Sequence, residues 1–327
     1  MAFDTSRQVE GIVVYALRIS RRNALKGTMA TLGSLMAAGC MSAHNSTFFS
    51  PTGPQKLGIQ LYTLGDEVWT DVGGNFVRLW ELGFRELELP SNYPLPAREV
   101  RRLAEAAGLD VVSTHIDISA AIETPEEVLR ACTDLGVKDA IVPFPDLGPD
   151  FAVPEGGDFV GAIASFFGVK DADYWTRTAA DLNIVGAGMK AAGLRFGYHH
   201  HNMEFRPIDS RTGWDIIVVE TDPDLVGFQI DTGWVSAGGL DPVEVLASIG
   251  DRVMSLHLKD LSPSSQTDYA LGLATANIGR GRLDWETILA AAKQIGARHF
   301  FFEQEGPFAS SRMAAATEAG RYLGSLK

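Results

Sequence analysis

From Leu57 to the C-terminus, short apolar runs alternate with segments whose apolar residues recur at helical spacing. The runs that read as strands are LGIQLYT (57–63), FRELELP (84–90), LDVVSTHI (109–116) and KDAIVPF (138–144). Four more follow: LRFGYHHH (194–201), VGFQID (226–231), RVMSLHLK (252–259) and ARHFFFEQE (297–305). Between them AREVRRLAEAAG, TPEEVLRACTDLG, YWTRTAADLNIVGAGMKAAG, DPVEVLASIG and DWETILAAAKQIG read as amphipathic helices. Several open on Asp or Thr, whose side-chain oxygen accepts from a free helix N–H, and close on Gly, which turns left-handed without strain. Strict alternation of eight strands with helices implies a parallel sheet, and eight is the number that closes a (β/α)8 TIM barrel. A doubly wound sheet would announce a glycine-rich first turn, whereas the first turn here is TLGDEV. The connections 145–172 and 260–283 are long, follow strands four and seven, and are expected to overhang the C-terminal face as lids.

The first 56 residues differ in kind. SRRNALKG (20–27) precedes TMATLGSLMAAGC, a mild apolar run of small residues that ends at Cys40. Paired arginines ahead of a short apolar segment resemble a twin-arginine export signal, and AAGC resembles a lipobox, with Ala37 where Leu is usual. The plain alternative is an N-terminal extension with no targeting role. The expected organisation is an export signal over 1–39, a Ser/Pro/Gly-rich tether over 40–56 and a catalytic barrel over 57–327. That places the protein in the periplasm or on a membrane, anchored only by lipid at Cys40.

Composition narrows the partners. The 327 residues are 46% hydrophobic and 21% charged, which describes a globular chain with a large core. The formal charge of −13 argues against nucleic acid, whose binders carry a basic footprint. Removing residues 1–39 takes away five basic and two acidic side chains, moving the charge to −16. Two cysteines give no disulfide framework, and Cys132 reads as a buried helix residue. Nothing in the sequence fixes the oligomeric state.

In a barrel the C-terminal strand ends converge on one mouth. Here they carry Glu86 and Glu88, His115, His199 and His201, Asp231, His257 with Lys259 and Asp260, then Glu303 and Glu305. Counting His200, five of the seven histidines fall at these strand ends. In the run HHH, His199 and His201 share a face while His200 points away into packing, because side chains alternate along a strand. Taken alone, two imidazoles there are either part of a metal site or polar residues at a loop mouth. His, Asp, His and Glu from four successive strands offer nitrogen and oxygen ligands suited to one divalent ion: Mn, Zn, Co, Fe or Mg.

The motifs QIDTGW, LHLKD, IGRGRLDW and FFEQE, in this order, resemble those of the xylose isomerase-like barrel superfamily of sugar isomerases and epimerases. GYHHHNMEF is similar to the YHNHxxEF form of its fifth strand, and the resemblance runs from about Leu57 to the end of the chain. It implies a metal held from strands five to eight, with Asp231, His257 and Glu303 in three ligand places and His199 where the family usually has Glu. With strand five offering imidazoles, the proton-transfer group falls to His201, then Glu305, then Glu204. Tyr62, Glu88, His115, Trp234, Lys259, Arg280 and Arg282 are expected to contact substrate, with Tyr62, Trp234 and Trp285 offering flat faces to a sugar ring.

The expected function is therefore a metal-dependent sugar isomerase or epimerase that moves a proton next to a sugar carbonyl. One rival is a keto-glycoside lyase or hydrolase on the same barrel. Another is a non-catalytic, exported sugar-binding lipoprotein, which would have no need of the metal constellation. A DNA endonuclease is disfavoured by the acidic charge. For export, the exported protein is expected to begin at lipidated Cys40; mass spectrometry finding an intact Met1, or Cys40 unmodified, would contradict the corresponding half.

Overall fold

The computed structural model describes residues 47–149 and 151–327. Eight parallel strands close a barrel: β1 Leu57–Gln60, β2 Glu86–Leu89, β3 Asp110–His115, β4 Asp139–Val142, β5 Arg195–His199, β6 Gly227–Asp231, β7 Val253–Leu258 and β8 His299–Phe302. Each lies inside one of the apolar runs read from the sequence, and β1 pairs with both β2 and β8. The intervening helices obey the expected signals. Ala97–Ala107, Pro125–Leu135 and Trp285–Ile295 end on Gly108, Gly136 and Gly296, all with φ between 79° and 82°. Asp171, Asp241 and Asp284 accept the backbone N–H groups of Tyr174, Val243 and Thr287 at the helix starts. Cys132 is buried on helix Pro125–Leu135.

The barrel interior is layered. At mid-height, Phe301 fills the space opposite Gly58, where a Cβ would lie 2.6 Å from its ring. Met254 fills the space beside Gly197 and Gly227, whose Cβ positions would fall 2.8 and 2.6 Å from its sulfur. These glycines are required by close approach, because any side chain would collide with the plug. Below the plug, Arg195 binds Asp139 at 2.6 Å and His299 binds Glu86 at 2.8 Å. Glu86 therefore belongs to the N-terminal layer and not to the mouth.

Both long connections reach over the C-terminal face. The first carries helix Phe159–Gly168, and the second carries a ribbon pairing Asp260–Leu261 with Thr275–Ala276. Phe159 and Val160 from one, and Leu271 and Leu273 from the other, line the pocket at the mouth. The second is clasped by Asp260, whose carboxylate accepts from the N–H groups of Gly279, Gly281 and Trp285 Nε1 at 3.0–3.1 Å. Trp285 is thus packed at 2% exposure and is not a platform for a sugar.

The expected tether needs correction at its end. Phe48 donates its N–H to the Leu326 carbonyl at 2.7 Å, and Phe48 and Phe49 pack edge-on against Phe300. Two aromatics bury readily even when Ser, Pro and Gly surround them, so the barrel unit begins before Leu57. The export signal and Cys40 lie outside the described residues. No described helix is long and apolar enough to cross a membrane.

The N-terminal layer makes stability depend on pH. Burial works against a charged His299, but its hydrogen bond to Glu86 and the Glu86 and Asp139 carboxylates outweigh this and raise its pKa. A raised folded-state pKa means that the stabilisation is complete below the unfolded imidazole value of about 6.5 and is lost as pH rises through the folded value. Urea unfolding of wild type against His299→Gln should show the difference in stability shrinking as pH rises above about 6.5. Parallel curves across that range would contradict this account.

Candidate active site

Seven of the eight strands deliver polar side chains to the top of the barrel. Glu88, at the end of β2, has no exposed surface. Its carboxylate accepts from Gln60 Nε2 at 2.9 Å, Ser113 Oγ at 2.6 Å and Gln229 Nε2 at 2.8 Å. His257 on β7 places Nε2 2.5 Å from Glu88 Oε1 and Nδ1 2.9 Å from Glu303 Oε2. Beyond it, the fully buried ammonium of Lys259 sits 2.9 Å from each of Asp231 Oδ2, Glu303 Oε2 and Glu305 Oε1. Charges alternate along this chain, as they must where water is excluded.

Asp231 shows how local structure sets chemistry. It ends β6 and caps helix Thr232–Ala237, with Oδ1 accepting the Trp234 N–H at 2.8 Å. Capping commits one carboxylate oxygen and turns the other, Oδ2, toward Lys259 and His257. The same turn brings the Trp234 ring under the Lys259 ammonium, 4.7 Å from its centroid. His200 points away from the mouth, as strand alternation requires. It packs on Phe205 and Trp214, donates from Nδ1 to the His201 carbonyl, and accepts the Asp231 N–H through Nε2.

The pocket above has a volume of about 610 Å³. His115, His199, His201, Trp234, Glu303 and Glu305 are among the residues in its wall, as is Tyr62, which is 54% exposed. Three buried polar atoms here lack a partner: His201 Nδ1, Trp234 Nε1 and Glu305 Oε2, while Asp231 Oδ2, beneath them, has only the Lys259 ammonium. The His201 ring stacks on Phe144 at 4.2 Å, which fixes its plane.

Protonation follows from surroundings. Burial opposes charge on His257, but Glu303 and Glu88 outweigh it and push its pKa up to about 10. Burial likewise opposes the Lys259 ammonium, and Asp231, Glu303 and Glu305 hold it charged, well above the ordinary lysine value. Burial, and then Lys259, drive His201 well below the usual imidazole range, so it is neutral. His199 is pushed well down by burial and by neighbouring histidines, His257 first. Burial raises Glu305 to about 7 against the pull of Lys259.

The four expected metal ligands fall into two overlapping groups. Asp231, His257 and Glu303 offer ligand atoms within 4.8 Å of one another, and so do His115, His199 and His257. His199 is turned by the bond between Nδ1 and Gln229 Oε1 at 3.0 Å, so it joins the second group. The first group fits a divalent ion. Asp231 Oδ2 makes only the ion pair with Lys259, and with the His257 Nε2–H donated to Glu88, Nδ1 becomes a ligand once it gives up the proton it shares with Glu303. A carboxylate behind a ligating imidazole is the usual outer-shell arrangement. An ion there would share Asp231 and Glu303 with Lys259.

Other expected site residues need correction. Glu204 is not at the pocket: the chain turns after β5, and its carboxylate accepts from Tyr198 Oη at 2.6 Å and the His201 N–H at 2.9 Å. Glu88 and Lys259 lie beneath the pocket wall, in the ion chain. Arg280 is exposed beside Glu318, while Arg282 donates to the Ser236 and Ser265 carbonyls and ties the lid down. Lid charges had other carboxylates and carbonyls nearer than any ligand. Gln229 was missed, although it sits two residues before Asp231 and therefore shares its face.

Known proteins resemble parts of this chain. An inosose dehydratase from Lacticaseibacillus casei is 26% identical over 163 residues, covering 46% of this chain and 54% of that protein. One from Clostridium perfringens is 25% identical over 190 residues, covering 55% and 60%. The chain thus spans only part of the length, 54–60%, of these curated relatives. Among solved structures, a sugar phosphate isomerase/epimerase from Parabacteroides distasonis superposes with a TM-score of 0.67 at 22% identity, over 85% of this chain and 96% of that one. An L-ribulose 3-epimerase gives 0.61 at 17%, over 83% and 93%. Those two likenesses show the fold. A family model matches residues 72–325, and the chain belongs to the xylose isomerase-like TIM-barrel family.

Proposed function

We propose that this protein is an enzyme acting on a keto-sugar or related cyclic polyol, beginning with removal of a proton from the carbon next to the carbonyl. The observation that carries this reading is the set of three unpartnered buried polar atoms on residues that line one pocket: His201 Nδ1, Trp234 Nε1 and Glu305 Oε2. Buried polar groups are as a rule paired, so such a wall suits a ligand with hydroxyls and a carbonyl. The inosose dehydratase and epimerase relatives support the same substrate class.

His201 accepts the proton at Nδ1. It is neutral and held in plane by Phe144. Glu305, raised to about 7, is divided between its charged and protonated forms near neutrality, and the protonated form serves as the acid. Delivered to carbon on the opposite face, that proton completes an epimerisation; delivered to a departing hydroxyl, it completes a dehydration. Asp231, His257 and Glu303 would hold a divalent ion that polarises the carbonyl and stabilises charge developing on its oxygen. Lys259 keeps Glu303 and Asp231 oriented.

A keto-glycoside lyase or hydrolase is the second reading, and the length of the cleft favours it. The pocket runs from Glu303 past Tyr62 to Trp69, Ser91 and Asn92, and continues along Tyr93 in an adjoining groove. Trp69 and Tyr93 stack with centroids 6.2 Å apart, offering a platform for a second ring.

The test is turnover on a panel of inososes, keto-hexoses and keto-glycosides, with and without chelator. His201→Ala should lower turnover by about 10²–10⁴-fold with metal content retained. Loss of metal together with activity would make His201 a ligand, and unchanged turnover would remove it from the mechanism.

A further inference from the structure

The segment after β8 has two faces. Alternation turns Glu303 and Glu305 to the central pocket and Gln304 to the other side. There a second cavity of about 430 Å³ opens between this segment, lid residues 275–280 and Glu318 of helix Arg312–Leu323. It shares no lining residue with the central pocket.

Its wall contains two oxygens without partners. Gln304 is 2% exposed. Its amide Nε2 donates to Asn277 Oδ1 at 3.2 Å and its backbone N–H to Thr63 Oγ1 at 3.1 Å, yet Oε1 accepts nothing. The Thr275 hydroxyl is buried and unpaired as well. Both can accept from a ligand hydroxyl, and the threonine can also donate.

Charge narrows the ligand. Glu318 Oε2 takes Asn277 Nδ2 at 2.8 Å and lies 3.4 Å from Arg280 Nε, so the acid and base at this cavity are already matched. A free cation would compete with Arg280, and a phosphate would face Glu318. Pro307 and half-buried Phe308, whose ring carries the Arg312 guanidinium 4.8 Å from its centroid, supply the apolar part of the wall. Hydroxyl acceptors, matched charge and an aromatic face together suit a neutral ring that has C–H faces and equatorial hydroxyls.

We propose that this cavity is a second binding site for a neutral polyhydroxylated ring, a sugar or cyclitol, with hydroxyls on Gln304 Oε1 and Thr275 Oγ1 and a C–H face on Phe308. The site stands independently of the reaction at the mouth. Because Gln304 lies between Glu303 and Glu305, an occupant would also steady the strand end that carries both.

The test titrates the full chain with D-glucose and with myo-inositol, following the Gln304 side-chain amide by NMR. At least one of the two should give a saturable shift. Thr275→Val and Phe308→Ala should each weaken it about tenfold, the scale of one lost hydrogen bond or contact face. Phe308 is near the surface, so its variant keeps the fold if Thr275→Val does not. His201→Ala should leave this binding unchanged, which separates it from the mouth. Non-saturating shifts with both polyols, an equal response to inorganic phosphate, or unaltered affinity in Phe308→Ala would overturn the proposal.

Discussion

An ammonium with no exposed surface can persist only where anions surround it, and the mouth of this barrel is organised around that constraint. Lys259 meets Asp231, Glu303 and Glu305. Glu303 in turn meets His257, His257 meets Glu88, and Glu88 gathers Gln60, Ser113 and Gln229. Removing one partner from such a buried chain costs about 3–5 kcal/mol, because it strands the charge left behind. Four strands, β2, β6, β7 and β8, are therefore tied together through charge as well as through the barrel. The chain also sets the orientation of every group that faces the pocket from that side.

Chemistry divides across the pocket. On one wall, carboxylates and ammonium form a charged cluster held below the surface. On the other, His201 is neutral, stacked on Phe144 and lacking a partner at Nδ1. A neutral acceptor beside a charged cluster suits the proposed proton abstraction, since the acceptor must be free while neighbouring groups stabilise negative charge. His200, directed outward, contributes by holding the Asp231 backbone.

Much of this was legible because a barrel converts strand alternation into position. The eight apolar runs located all eight strands, the family resemblance of the strand-end motifs put Asp231, His257 and Glu303 in one cluster, and counting by twos sent His200 into packing. The same count would have found Gln229. What escaped it lies where alternation stops. After His199 the chain leaves the strand, so Glu204 turns back onto Tyr198 and the His201 N–H. Arg280 and Arg282 sit on a lid whose path depends on Asp260 clasping distant N–H groups, which no local pattern reveals. Phe144 lines the pocket from a loop and Trp69 from the one-turn helix Glu67–Thr70, too short for sequence to show a face. The placement of His199 was missed because its partner, Gln229, comes from the next strand.

The central claim is that Asp231, His257 and Glu303 form a cation site at the end of the buried ion chain. It is tested most directly by calorimetric titration of Mn²⁺ into the metal-stripped protein and into Asp231→Asn, a change that keeps the helix cap while removing the charge. The account predicts one Mn²⁺ per chain for the wild type and none for the folded variant. No binding to the wild type, or equal binding to both, would contradict it.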